Sequence, residues 1–178
     1  MRAGKSQWLF HQLTQYADLK RAVLYVGHLD DIRTDVAMVD HHLTTHSSGG
    51  IALSPLITQQ RVSHLGSLTV SEYEVIGIDE AQFFPDLLSL VPEWLRQGKR
   101  LYVGGLDGDY EMKPIGSVLP LIPYATTVTK LTAFCTLCLP ERYEPAPYTK
   151  RLIAVSEQIY IGGDNIYVSV CGFHHRSS

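Results

Sequence analysis

Apolar and polar positions alternate along this chain in blocks that predict helices and strands in turn. Residues 6–19 place Trp8, Leu9, Leu13 and Tyr16 at roughly helical spacing, the stripe of a helix that packs on a sheet. Ala22-Val23-Leu24-Tyr25-Val26-Gly27 reads as a short buried strand. From residue 28 to about residue 50 the chain turns polar, and Ser47-Ser48-Gly49-Gly50 reads as a connection leading to a short extended piece at 51–56. Residues 74–79 form a second buried strand, whose Val75-Ile76-Gly77-Ile78 core runs directly into Asp79-Glu80-Ala81-Gln82-Phe83-Phe84-Pro85-Asp86. After it, Pro85 can open a helix with Leu87, Leu88, Val91, Trp94 and Leu95 on one face. Gly98 is placed to end that helix, and Pro92 is expected to kink or interrupt it. Arg100-Leu101-Tyr102-Val103-Gly104 is the next strand, followed by a glycine-rich loop through Tyr110. A short helix is expected over 115–122 and a β-rich run over 126–134. Strand and helix signals in alternation indicate βαβ units, hence an α/β fold with a mostly parallel sheet.

Composition narrows the partners. The chain has 178 residues, with 15 Lys and Arg against 18 Asp and Glu, so it suits one core with a small appendage and carries no basic footprint for nucleic acid. No apolar run is long enough for a membrane span, and a cytoplasmic protein is expected. Four histidines in the polar stretch, His28, His41, His42 and His46, lack acidic or cysteine partners at ligand spacing and read as part of a solvated loop.

Two places carry chemistry. Met1 to Ser6 reads M-R-A-G-K-S, which matches the end of the phosphate-binding pattern G-x-x-x-x-G-K-[ST], with the first glycine falling two residues before Met1. In such a loop backbone N–H groups surround phosphate oxygens, a lysine neutralises them and a hydroxyl ligates magnesium, so Gly4, Lys5 and Ser6 are candidates for the last part of that work. By itself the tripeptide is a frequent chance match. Asp79 and Glu80 emerge at the carboxyl edge of a parallel sheet, where ligands of open α/β folds bind, although acids before a helix are also ordinary caps.

The cysteines point to metal. Cys135-Thr136-Leu137-Cys138 and Cys171-Gly172-Phe173-His174 have matched internal spacing, and two such knuckles meeting give a closed Cys3His site for structural zinc. His175 is the alternative fourth ligand. The insert 139–170 then becomes a lobe stapled at its base, in which Ile159-Tyr160-Ile161 and Tyr167-Val168-Ser169-Val170 flank Gly162-Gly163-Asp164-Asn165 as a hairpin.

Taken together, the string from Val75 to Asp86, the segment G-L-D-G-D-Y-E-M-K-P-I-G-S-V at 105–118, Lys130-Leu131-Thr132-Ala133-Phe134-Cys135, Tyr148-Thr149-Lys150-Arg151, and Ile161-Gly162-Gly163 with Tyr167 before Cys171 resemble the type II, zinc-containing thymidine kinases. The resemblance is tight from Val75 onward and loose over 19–73. It implies a P-loop (RecA-like) sheet flanked by helices over 1–134 and a zinc-stapled lasso lobe over 135–178. The implied activity is transfer of the γ-phosphoryl group of ATP to the 5′-hydroxyl of thymidine, with magnesium and structural zinc, in a homotetramer.

Residue by residue, Lys5 and Ser6 resemble the phosphate-loop lysine and magnesium-linked hydroxyl, Asp79 the acid that serves magnesium, and Glu80 the general base. Asp31-Ile32-Arg33 resembles the family's D-x-R element, which implies that Asp31 lies near the nucleotide and Arg33 near the transferring phosphoryl group. Phe83, Leu106 and Tyr110 resemble the residues enclosing thymine, with Tyr110 standing where phenylalanine is usual. Thr149, Ile161, Gly162 and Tyr167 belong to the implied lobe over the nucleoside. The main rival is a nucleoside-binding or assembly protein derived from such a kinase, which the incomplete phosphate-loop pattern would favour. A helicase-type ATPase would need a second motor domain and a basic track, and a zinc-ribbon module would leave residues 75–110 without a purpose.

Overall fold

The computed structural model describes residues 2–29, 54–154, 158, 160 and 165–177. Among them, helix α1 (Lys5–Asp18) leads into strand β1 (Val23–His28), followed by β2 (Ile57–Val62), β3 (Val75–Ile78), α2 (Leu87–Arg96) and β4 (Arg100–Val103). These four strands form one sheet in the order β2-β1-β3-β4, and every pairing is parallel. An α/β sheet flanked by helices is therefore what the chain builds.

The period-2 alternation of the strands divides the core in two. Val23 and Tyr25 of β1 pack with Val75 of β3 against Leu9, Phe10, Leu13 and Ala17 of α1. Their neighbours Leu24, Val26, Ile76 and Ile78 face the other way, against Leu87, Val91 and Trp94 of α2. Both faces of β3 are thus covered, which is why its sequence is an unbroken apolar run. Each large side chain buried in these layers contributes about 1.5–3 kcal/mol relative to exposure.

Several expectations need correction. The stripe of α1 is rotated from the expected one: Leu9 and Leu13 are buried with Phe10 and Ala17, whereas Trp8 is 39% exposed. The first strand runs one residue further than expected, so His28 is a buried end of β1 and not part of a solvated loop. Strand β2 was not anticipated, because its Thr58-Gln59-Gln60-Arg61 interior is polar, which an edge strand tolerates. Helix α2 runs unbroken through Pro92. It ends as expected, with Gly98 N–H donating to the Leu95 carbonyl at 3.0 Å and Lys99 N–H to the Trp94 carbonyl at 3.0 Å. On its face Leu88 and Leu95 are exposed and only Leu87, Val91 and Trp94 are buried. The expected helix over 115–122 is a 3-10 segment, Leu119–Tyr124. The expected β-rich run over 126–134 reduces to the two-residue strand β5 (Ala133–Phe134).

The C-terminal part contains β5, β6 (Pro145–Ala146), β7 (Tyr148–Arg151), β8 (Tyr167–Val170) and the short helix α3 (Gly172–Arg176). β5 pairs with β6, and β8 pairs antiparallel with β7 through Tyr148 opposite Val170 and Arg151 opposite Tyr167. The described partner of β8 is β7; most of the expected hairpin stretch, residues 159 and 161–164, lies outside the described residues. Ala133, Cys135, Cys138, Ala146, Val170 and Cys171 form a separate small core, against which Ala3, Tyr148 and Val168 pack. Ala3 therefore joins the start of the chain to the base of this lobe.

Candidate active site and metal centre

The carboxyl edge of the sheet gathers the Gly4-Lys5-Ser6 segment and the acidic pair. Gly4 is the N-cap of α1, with φ 76 and ψ 19, and Lys5 and Ser6 begin the helix. Ser6 hydrogen-bonds the Asp79 carboxylate, and the Lys5 charge is near enough to favour its ionised form. Tyr25 donates from β1 to Asp79 Oδ2 at 3.3 Å, and Glu80 N–H donates to Asp79 Oδ1 at 2.9 Å. Burial nevertheless dominates: together with the adjacent Glu80 charge it pushes the Asp79 pKa up to about 6, against the lowering effects of Ser6, the Glu80 backbone and Lys5.

Ordinary helix capping does not explain these acids. Glu80 precedes the 3-10 turn Ala81–Phe83 without a side-chain capping bond, and α2 is preceded by Asp86 instead. The Asp86 carboxylate is itself engaged elsewhere, accepting the N–H groups of Leu65 at 3.1 Å and Gly66 at 2.8 Å. Glu80 has φ 48 and ψ 43, a left-handed conformation that non-glycine residues seldom adopt and that is enriched at functional sites. A carboxylate beside a hydroxyl is an oxygen donor set suited to a hard cation such as magnesium.

The cost of burying Asp79 gives a pH-dependent stability in the absence of a cation. A carboxyl whose folded pKa is about 6, above its ordinary 3.8, contributes stability fully present below about pH 4 and lost as pH rises through about 6. Asp79→Asn is therefore expected to stabilise the magnesium-free protein by about 3 kcal/mol at pH 7.5. Thermal unfolding should show the gap between variant and parent opening between about pH 4 and 6 and constant above. A variant less stable than its parent at neutral pH would refute this account.

The residues anticipated for a base-binding slot have the following neighbours. Phe83 lies against His28, ring centroids 5.5 Å apart. Leu106 follows β4 and donates its N–H to Gln82 Oε1 at 3.0 Å. Tyr110 is held from the C-terminal part on two sides: the Arg151 guanidinium sits 3.6 Å from its ring centroid, and His175 Nε2 donates to its carbonyl at 2.9 Å. Gln158 adds to this latch by donating to Asp109 Oδ2 at 2.7 Å. Tyr167, on β8, donates its hydroxyl to the Tyr160 carbonyl at 2.9 Å, and Arg151 lies 5.6 Å from its ring. Thr149 is half-buried on β7 opposite Ser169. Asp31, Arg33, Ile161 and Gly162 fall outside the described residues, as do His41, His42 and His46. Gln82, Tyr25, Arg151 and Gln158 were not singled out from sequence. Gln82 left a trace there as an amide two residues after an acid at a sheet edge, and Arg151 as the last residue of Tyr148-Thr149-Lys150-Arg151.

Cys135, Cys138, Cys171 and His174 converge, their ligand atoms all within 4.8 Å of one another. His174 Nδ1 is 3.4 Å from Cys135 Sγ and 3.5 Å from the sulfurs of Cys138 and Cys171. A tetrahedral zinc with Zn–S about 2.3 Å and Zn–N about 2.0 Å requires an S to N edge of about 3.5 Å, so the residues fit the metal. The backbone N–H of His174 holds the Cys171 thiol below its usual pKa, which favours the ligating thiolate. Arg142 Nη2 approaches Cys138 Sγ at 3.8 Å as an outer partner. His175 is committed to Tyr110 and is not the fourth ligand.

Comparison with known proteins agrees with this geometry. A family model described as thymidine kinase matches residues 1–175. "Thymidine kinase 1" of Dictyostelium discoideum is 32% identical over 171 residues, spanning 96% of this chain and 72% of that protein. "Thymidine kinase" of Myxoma virus (strain Uriarra) is 37% identical over 172 residues, 96% of this chain and 89% of the relative. "Thymidine kinase, cytosolic" of Homo sapiens is 34% identical over 171 residues, 96% and 68% respectively. With a buried acidic pair beside Lys5 and Ser6, a Cys3His knuckle pair and these relatives along nearly its whole length, the chain belongs to the thymidine kinase family.

Proposed function

We propose that this protein phosphorylates thymidine at its 5′-hydroxyl with ATP as donor, residues 1–134 carrying the phosphoryl chemistry and residues 135–178 covering the nucleoside. The observation that carries this reading is the convergence of Ser6 and Lys5 on buried Asp79, with Glu80 as the next residue in the chain. Phosphoryl transfer needs charge neutralisation and in-line placement more than covalent help. Lys5 and the backbone at Gly4 bind phosphate oxygens, and Arg33 approaches the transferring group. Asp79 and Ser6 would hold magnesium, which would supply further neutralisation. Glu80 accepts the proton of the nucleoside 5′-hydroxyl as that oxygen attacks phosphorus.

The thymine ring is enclosed by Phe83, Leu106 and Tyr110, an aromatic and apolar slot that fits a planar base. The family resemblance gives Thr149, Ile161, Gly162 and Tyr167 the role of closing it from the lobe, whose base a zinc held by Cys135, Cys138, Cys171 and His174 would fix. Asp31 acts beside Arg33 at the nucleotide end. Family membership supports a homotetramer, and the cytosolic human relative supports a cytoplasmic setting.

The test is direct: incubation with ATP, magnesium and thymidine should yield thymidine monophosphate and ADP in equal amounts. No thymidine-dependent turnover, from this chain or from one extended before Met1, would overturn the reading.

A further inference from the structure

Gln82 stands two residues after Glu80, is only 4% exposed, and has both ends of its carboxamide committed. Nε2 donates to Glu80 Oε2, and Oε1 accepts the Leu106 N–H at 3.0 Å. The amide has one orientation, because an ionised carboxylate only accepts and a backbone N–H only donates. A buried carboxamide is costly unless paired in this way, so Gln82 is a poor choice as mere filler.

The surrounding backbone is shaped to this side chain. Ala81 N–H donates to the Gly104 carbonyl at 2.9 Å, which draws the loop after β4 against the turn after β3. At Gly105 a Cβ would lie 2.9 Å from Val118 Cγ2 and 3.2 Å from Gln82 Oε1, so a side chain there would push the amide away. Gly116 adopts φ +58, and a Cβ on it would meet the Gln82 carbonyl oxygen at 2.4 Å. Stretches around residues 81, 105 and 116 thus close on Gln82.

The geometry points to Gln82 as a positioning residue that fixes the direction of the Glu80 carboxylate and ties it to the Leu106 wall of the nucleoside slot. This rests on the roles proposed above for Glu80 and Leu106. One amide connects the group that takes the proton to the backbone that encloses the base, so a single side chain reaches both. A carboxylate held at one oxygen has lost most of its rotamer freedom, which places it for proton transfer without reorganisation.

The experiment compares Gln82→Met, Glu80→Gln and the double variant, each with kcat and KM for thymidine and with thermal unfolding. Gln82→Met should lower kcat about 30-fold with KM within about threefold. In the Glu80→Gln background the same change should alter kcat less than about twofold, because no base remains to be positioned. A loss that multiplies fully in the double variant, a change confined to KM, or a kcat within about twofold of the parent would overturn the inference. If the Met variant does not fold, Gln82→Asn, too short to reach both partners, is read by the same criteria. Should Glu80→Gln itself leave turnover unchanged, the assignment of the base fails; should it abolish turnover while Gln82→Met does nothing, only the positioning role fails.

Discussion

Replacing Glu80 by Gln is expected to lower kcat for thymidine phosphorylation about 10²–10⁴-fold while leaving thymidine affinity within a few-fold. The change removes the carboxylate proposed to accept the proton and little else. Gln is nearly the same shape, keeps an oxygen that accepts from Gln82, and bears the left-handed backbone at this position no worse than Glu. The proposed nucleoside slot is built from other residues, so binding measured by calorimetry should survive. Stability should change little or rise, since Asp79 loses an adjacent like charge. Turnover equal to that of the parent would remove Glu80 from the proton transfer.

The second large effect is expected from loss of the metal. The small core at the base of the lobe contains six buried residues, three of them cysteines of the ligand set. Ala133, Ala146 and Val170 supply the rest, too little apolar area to hold the lobe without a tether. A structural zinc contributes on the order of 10 kcal/mol to such knuckles at neutral pH. Cys138→Ala, or strong chelation, should therefore release one equivalent of zinc and expose residues 139–170 to protease. Because His175 and Arg151 hold Tyr110 from that lobe, thymidine affinity should also fall, by about tenfold or more. A variant that lacks zinc yet resists protease and binds thymidine normally would refute both the structural role and the latch on Tyr110.

What could be read from the chain in advance followed from how local each signal was. β3 and its acids were legible because a strand buried on both faces must be continuously apolar. The knuckles were legible because matched ligand spacing is itself local geometry. β2 was not, since an edge strand can keep Gln59, Gln60 and Arg61 half-exposed and loses the alternation that would announce it. The pairing of β8 with β7 was missed because glycines at 162–163 suggested a local turn, whereas the described pairing joins residues 148–151 to 167–170 across a longer stretch. His28 read as solvated by composition, yet one added residue of β1 carries it beneath Phe83 and Phe84. Gln82 was visible as a letter but not as a bridge, because Leu106 comes to it only when β3 and β4 pair.

The packing of Ala3 against the lobe core bears on how the molecule is made. The partners of Ala3 in that core lie at positions 133–171, so this contact spans most of the chain. During synthesis the segment bearing Gly4, Lys5 and Ser6 is made before residues 133–171 and must wait for them before its own packing is complete. The sheet can form earlier from nearer contacts; the packing beside Gly4, Lys5 and Ser6 is finished late, when residues 133–171 fold back onto Ala3.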